Sequence, residues 1–133
     1  MDPKLAPLKL LLSYNIGTEG TEDCLNLNLV IPGSLKKVQS SGEKLPVMVW
    51  LHGGYYTHGT SSGTGTSDTF YYDGLLPSSY GNYIYISVNY RLHSFGFLST
   101  EDENAKGNFA VDDIQNAIDW IFQNAEIINA DTR

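Results

Sequence analysis

The chain is 133 residues long, with 41% hydrophobic and 17% charged residues, which suits one modest globular domain and excludes a disordered tail. Fifteen acidic residues against eight Lys and Arg give a net charge of -7, a surface that repels phosphate backbones and anionic lipid heads, so no nucleic acid and no membrane partner is expected. No apolar run approaches the ~18 residues that span a bilayer.

The first 21 residues read as an irregular N-terminal segment, punctuated by Pro3, Pro7, Gly17 and Gly20. The apolar stretch Leu8–Leu12, interrupted by Lys9, gives no clear signal peptide. The single cysteine, Cys24, cannot form an internal disulfide, and no Asn-x-Ser/Thr sequon occurs, so the compartment stays open. Leu25, Leu27, Leu29 and Ile31 alternate with Asn26, Asn28 and Val30, the period of a strand with one buried face, and Pro32-Gly33 ends it. Residues 34–44 are polar and read as a surface loop. Val47–Leu51 (VMVWL) is an unbroken apolar run closed by glycines, which predicts a strand buried on both faces.

Residues 57–82 are rich in Gly, Ser and Thr and read as a long loop, of a length usually functional or disordered. Tyr83–Asn89 predicts another strand, with Ile84, Ile86 and Val88 on one face. From Phe109 to Gln123, Ala110, Ile114, Ala117, Ile118 and Ile121 form one apolar stripe at helical spacing. Asp112 and Asp113 suit the positive end of that helix, and Asn108 is a candidate N-cap. Strands joined by irregular and helical connections imply an α/β sheet.

The chemistry concentrates where Val47–Leu51 runs into His52-Gly53-Gly54-Tyr55. Glycines there let the backbone turn sharply and bring N–H groups close to a ligand; the plainer alternative is a tight turn after a strand. Gly59-Thr-Ser-Ser-Gly63 matches the G-x-S-x-G pattern of a nucleophile elbow literally. An elbow needs a strand before it and a helix after it, and neither is expected here, so Ser61 reads as a residue of a flexible Gly/Ser loop. His52 reads as a packing or loop-orienting residue, and His58 and His93 as loop residues; none reads as a catalytic base. No Cys/His cluster suggests a metal, and no cofactor is expected.

Taken together, VMVWLHGG, Glu22-Asp-Cys-Leu-Asn-Leu-Asn28, Asn89-Tyr-Arg-Leu92 with Gly96-Phe-Leu98, and Gly107-Asn108 leading to Asp113 and Trp120 resemble the type-B carboxylesterase and cholinesterase family over about residues 22–131. The resemblance implies a partial α/β-hydrolase: three layers around a mostly parallel sheet, without the nucleophile strand and the C-terminal part. It makes the backbone N–H groups of Gly54 and Tyr55 oxyanion donors, with Gly53 permitting the turn. Tyr55 stands where the family usually has a third Gly, and any residue but proline still supplies an N–H.

The resemblance also implies a buried structural ion pair between Arg91 and Asp113. Tyr55, Tyr56, Phe70, Tyr71 and Tyr72 are either gorge-lining or ordinary aromatics. The implied strand order runs from Leu25–Ile31 through Tyr83–Asn89 to Val47–Leu51, leaving the last as an unpaired edge open to self-association. The functional expectation is a fragment of a serine-type carboxylic-ester hydrolase acting on small-molecule esters and inactive alone. The alternative is a non-catalytic adhesion or scaffold relative, or a pseudogene fragment.

Overall fold

The computed structural model describes residues 8–11, 21–33, 35–62 and 72–133, with only the backbone for residues 8–11 and 35–37. In chain order the elements are β1 (Leu8–Leu11), β2 (Leu27–Ile31), α1 (Leu35–Ser41), β3 (Val47–Leu51), α2 (Leu75–Gly81), β4 (Ile84–Val88), α3 (His93–Phe97), α4 (Phe109–Gln123) and α5 (Ala125–Ile128). Four strands make one sheet in the order β1-β2-β4-β3. β1 pairs antiparallel with β2, β2 antiparallel with β4, and β3 parallel with β4. The described sheet is therefore mixed, not mostly parallel. Its three later strands stand in the order the resemblance implies, and β1 lies inside the segment expected to be irregular.

The register sorts the side chains onto two faces, because successive residues of a strand point to opposite sides. Leu29 sits opposite Ile86, and Val47 and Val49 lie beside Ile84 and Ile86. This first face packs with Ile121 of α4, Ala125 and Ile128 of α5, and Val38 of α1 into the hydrophobic core. On the second face Tyr85 packs under the start of α2, where a Cβ on Gly74 would lie 2.0 Å from the Tyr85 ring. Helices thus flank both faces of the sheet and make three layers.

Double coverage corrects the one-sided reading of two strands. Asn28 and Val30 of β2, expected on a solvent face, are buried, and all five residues of β4 are buried. The opposite correction applies to β3, expected to be buried on both faces. Among the described strands only β4 flanks it, and Met48, Trp50 and Leu51 are 45%, 37% and 42% exposed. Just before β3, Leu45 forms a parallel bridge to Ala130 on the way out of α5.

Two segments read as loops contain helices. α1 lies in the polar stretch 34–44, and α2 in the Gly/Ser/Thr-rich stretch 57–82, where Ser78 is fully buried and its hydroxyl donates to the Tyr83 carbonyl at 2.7 Å. Polar composition marks solvent exposure more directly than it marks loop. α4 has the expected bounds. Asn108 takes a left-handed conformation (φ 60°) and makes no side-chain cap; its carbonyl accepts from the Val111 and Asp112 N–H groups.

The end of β4 is tied to α4 by Arg91 and Asp113. Nε donates to Oδ2 at 2.8 Å and an Nη to Oδ1 at 2.7 Å, and the Arg91 backbone N–H adds a third bond to Oδ2 at 3.0 Å. The Asp113 side chain is 1% exposed and that of Arg91 36%. Burial alone would push the Asp113 carboxyl up, but the Arg91 hydrogen bonds and charge outweigh it and hold the group below the ordinary carboxylate range. Gly96 of α3 lets the helix lie against this junction, since a Cβ there would come within 2.3 Å of the Arg91 carbonyl oxygen.

Arg91→Ala strands a buried carboxylate and is expected to cost about 3–5 kcal/mol in chemical denaturation. Asp113→Ala should cost less, because the half-exposed guanidinium can turn to water. A depressed carboxyl stabilises the fold above its unfolded pKa and loses that contribution as pH falls through the folded value. The pair's contribution should be constant from pH 8 to 5 and decline below about pH 4, and Asp113→Asn should flatten that acid limb.

Candidate functional site

β3 delivers His52-Gly53-Gly54 to the end of the sheet where Leu51 lies beside Val88. There the chain reverses in an unusual conformation: φ is 129° at Gly54, 55° at Tyr55 and 60° at Tyr56. The Thr57 and His58 N–H groups both donate to the Gly54 carbonyl, at 2.9 and 3.2 Å, and the Thr57 hydroxyl adds a third bond at 3.0 Å. Two consecutive tyrosines in the left-handed region cost about 1–2 kcal/mol each relative to ordinary backbone. Strain of this kind persists where surrounding contacts over-determine it and clusters at functional turns. The Gly54 and Tyr55 N–H groups donate to no acceptor among the described residues.

The need for glycine falls on Gly54. A Cβ there would lie 1.8 Å from the His58 carbonyl oxygen, whereas one on Gly53 would meet nothing within 4 Å and φ there is not positive. The turn is anchored from three directions. The His52 ring, 3% exposed, stacks on Tyr90 at 4.6 Å and 14°, and its Nδ1 lies 2.9 Å from the Gly53 carbonyl oxygen. The Tyr90 hydroxyl donates to the His52 carbonyl at 2.6 Å. The His93 N–H donates to the Tyr56 carbonyl at 2.7 Å, bringing the segment after β4 against the far side of the turn.

Downstream, the Gly59–Ser62 stretch is held down on the sheet by a buried polar network. Asn28 Nδ2 shares its two hydrogens among the hydroxyls of Ser61 (3.0 Å), Ser62 (3.3 Å) and Ser87 (3.2 Å). The Ser61 N–H donates to the Asn89 side-chain oxygen at 2.8 Å, and Asn89 Nδ2 donates to the Asn26 side-chain oxygen at 2.8 Å. Ser61 is 1% exposed, so this part of the loop is pinned, not flexible, and its hydroxyl is closed off from an incoming carbonyl.

Of the sequence-derived residues, Gly53, Gly54 and Tyr55 form the turn, while Arg91 and Asp113 fasten the neighbouring strand to α4. His58 and His93 are exposed, and their Nδ1 atoms lie 3.0 Å from the Thr57 hydroxyl and 3.2 Å from the Ser94 hydroxyl; no carboxylate orients either ring among the described residues. Tyr55 is 91% exposed, Tyr56 packs edge-on to Phe97 at 5.1 Å, and Tyr72 lies against Trp50 at 5.3 Å. Phe70 and Tyr71 lie outside the described residues. Cys24 is a half-buried free thiol. Tyr90, Gly59 and Asn28 support the site without having been singled out for it. Tyr90 stands inside the NYR run, but its role needs the spatial pairing with His52.

The Carboxylesterase family model matches residues 5–133. Bile salt-activated lipase of Bos taurus is 40% identical over 86% of this chain and 19% of its own length. Carboxylesterase 5A of Ovis aries is 39% identical over 84% of the chain and 26% of its own length, and acetylcholinesterase-1 of Trittame loki 42% identical over 83% and 18%. The chain thus spans about 19% of the length of the lipase it matches.

The two glycines should respond oppositely to a methyl group. Gly54→Ala forces the Cβ into the His58 carbonyl and is expected to destabilise the chain by roughly 1–3 kcal/mol or more. Gly53→Ala, in open space, should stay within about 0.5 kcal/mol of the parent. Denaturant midpoints of the two variants measured side by side check the contrast.

Proposed function

The chain belongs to the carboxylesterase family, and from that premise we propose that it supplies the oxyanion-binding turn of a serine-type hydrolase of small-molecule carboxylic esters. The observation that carries this reading is the Gly54–Tyr55 turn: two successive backbone N–H groups with no described acceptor, held in a strained conformation by contacts on three sides. Such donors act on the charge that develops on a carbonyl oxygen when a nucleophile adds to it. They need no reorganisation at that moment, because the fold has already fixed them. In the full reaction a serine hydroxyl adds to the ester carbonyl, the tetrahedral oxyanion is held on the Gly54 and Tyr55 N–H groups, and collapse expels the alcohol to leave an acyl-enzyme that water hydrolyses.

The described residues of this chain do not supply the nucleophile. Ser61 is buried and accepts from Asn28, and the contacts of His58 and His93 are with adjacent hydroxyls. The chain's part is therefore electrostatic, and hydrolysis needs a serine and a base brought to the turn from elsewhere. The reading of the chain as a scaffold relative is favoured by no feature of the turn.

Two experiments test the proposal. Incubated with a nitrophenyl acetate, the chain and its Ser61→Ala variant should both stay at background; saturable turnover lost in Ser61→Ala would make Ser61 the nucleophile. Grafted into the bovine lipase in place of the matching segment, residues 22–133 should support ester hydrolysis. In that chimaera Gly54→Ala keeps both N–H groups but pushes the turn off the His58 carbonyl, and the misdirected donors should lower kcat per folded molecule, by up to about 10²–10³ if one is lost to the oxyanion. Undiminished kcat in Gly54→Ala would remove the turn from the reaction.

A further inference from the structure

We infer that His52 is the positioning residue that decides which way the Gly54 N–H points, acting as its Nδ1–H tautomer through the Gly53 carbonyl. The inference rests on the reading of that N–H as an oxyanion donor and adds how it is aimed.

The peptide unit between Gly53 and Gly54 carries both groups concerned. No described peptide bond is cis. In a trans peptide the carbonyl and the N–H lie in one plane and point to opposite edges, so a bond that holds the Gly53 oxygen also sets the direction of the Gly54 hydrogen. His52 Nδ1 stands 2.9 Å from that oxygen. A carbonyl oxygen only accepts, so the ring nitrogen facing it carries the proton. The other tautomer would set two lone pairs against each other and bury an orphaned N–H at Nε2. Nε2 is buried with no partner among the described residues. A bare lone pair there is less costly than a bare donor, because orphaned buried N–H groups are the rarer case.

Three further contacts keep the imidazole from rotating away. Its face is stacked on Tyr90, 4.6 Å between centroids. The Tyr90 hydroxyl holds the preceding carbonyl, that of His52, at 2.6 Å. Gly59, at φ 126°, packs over the hydrogen bond itself: a Cβ there would lie 2.3 Å from Nδ1 and 2.6 Å from the Gly53 oxygen. The glycine after the turn thus leaves room for the bond, and Gly53, where a Cβ would meet nothing, sets no steric constraint against it.

The test uses the intact chain by solution NMR at neutral pH with no ester present. Long-range nitrogen–proton correlations should show His52 protonated at Nδ1 and bare at Nε2; protonation at Nε2 alone overturns the proposal. The residual dipolar coupling of the Gly54 N–H reports its direction. His52→Asn places an amide nitrogen where Nδ1 stood and should retain the parent coupling. His52→Phe keeps a flat ring on Tyr90 but removes the donor, and the coupling should be lost. Retention of the coupling in His52→Phe, or its loss in His52→Asn with the rest of the spectrum preserved, overturns the proposal. Should His52→Phe fail to fold, the parent tautomer and the Asn variant still decide. Failure of the oxyanion reading would appear only in the ester experiments and would leave these couplings unchanged.

Discussion

Three positions within four residues at the exit of the central strand carry the constraint on which the site depends. β4 is buried along its whole length, and shortly after it Tyr90, Arg91 and His93 reach in different directions. Arg91 fastens the strand end to α4 through Asp113, Tyr90 holds the His52 ring and carbonyl, and the His93 N–H holds the Tyr56 carbonyl. The ion pair is two-pronged with the carboxylate nearly sealed from solvent, so it resists small displacements in a way that a single exposed contact does not. The turn after β3 therefore inherits its position from α4, although Asp113 is nowhere near the turn in sequence.

Strain and support are matched in the turn. Tyr55 and Tyr56 occupy backbone conformations that glycine or asparagine would adopt more readily, and their side chains remain largely exposed. Side-chain burial does not hold them there. The backbone does, through the Gly54 carbonyl on one side and the His93 N–H on the other. The conformation of Tyr55 is thus imposed from outside the residue, and its N–H donates to no acceptor among the described residues. The two glycines differ in the same way: a Cβ on Gly54 would meet the His58 carbonyl, and one on Gly53 would face open space.

The polar residues on the second sheet face show what one-dimensional patterning misses. Asn28 reads as the solvent-facing partner of Leu27 and Leu29, yet it is buried and shares its amide hydrogens among three serine hydroxyls from two other segments. An alternation of apolar and polar residues reports one covered face only when the other face meets water. Here a Gly/Ser-rich loop and α2 cover that face, and the loop's own hydroxyls satisfy the amide. The expectation for β3 erred in the other direction: its unbroken apolar run predicts burial on both faces, but Met48, Trp50 and Leu51 are exposed, and among the described strands it stands at the edge that the implied strand order gives it.

The sequence by itself determined the elements whose residues carry a local or strongly periodic signal. These are the three strands from β2 to β4, α4 with its stripe, the glycine turn after VMVWL, and, through the set of motifs, the family. Those features depend on side-chain period and backbone permissiveness, which a linear reading contains. Only the tertiary structure decided which glycine the turn requires, that Ser61 is a buried structural hydroxyl, that α1 and α2 are helical, and that Tyr90, Gly59 and His52 meet around one peptide group. Each of these rests on atoms from segments separated in the chain, and no local propensity encodes a distance between them.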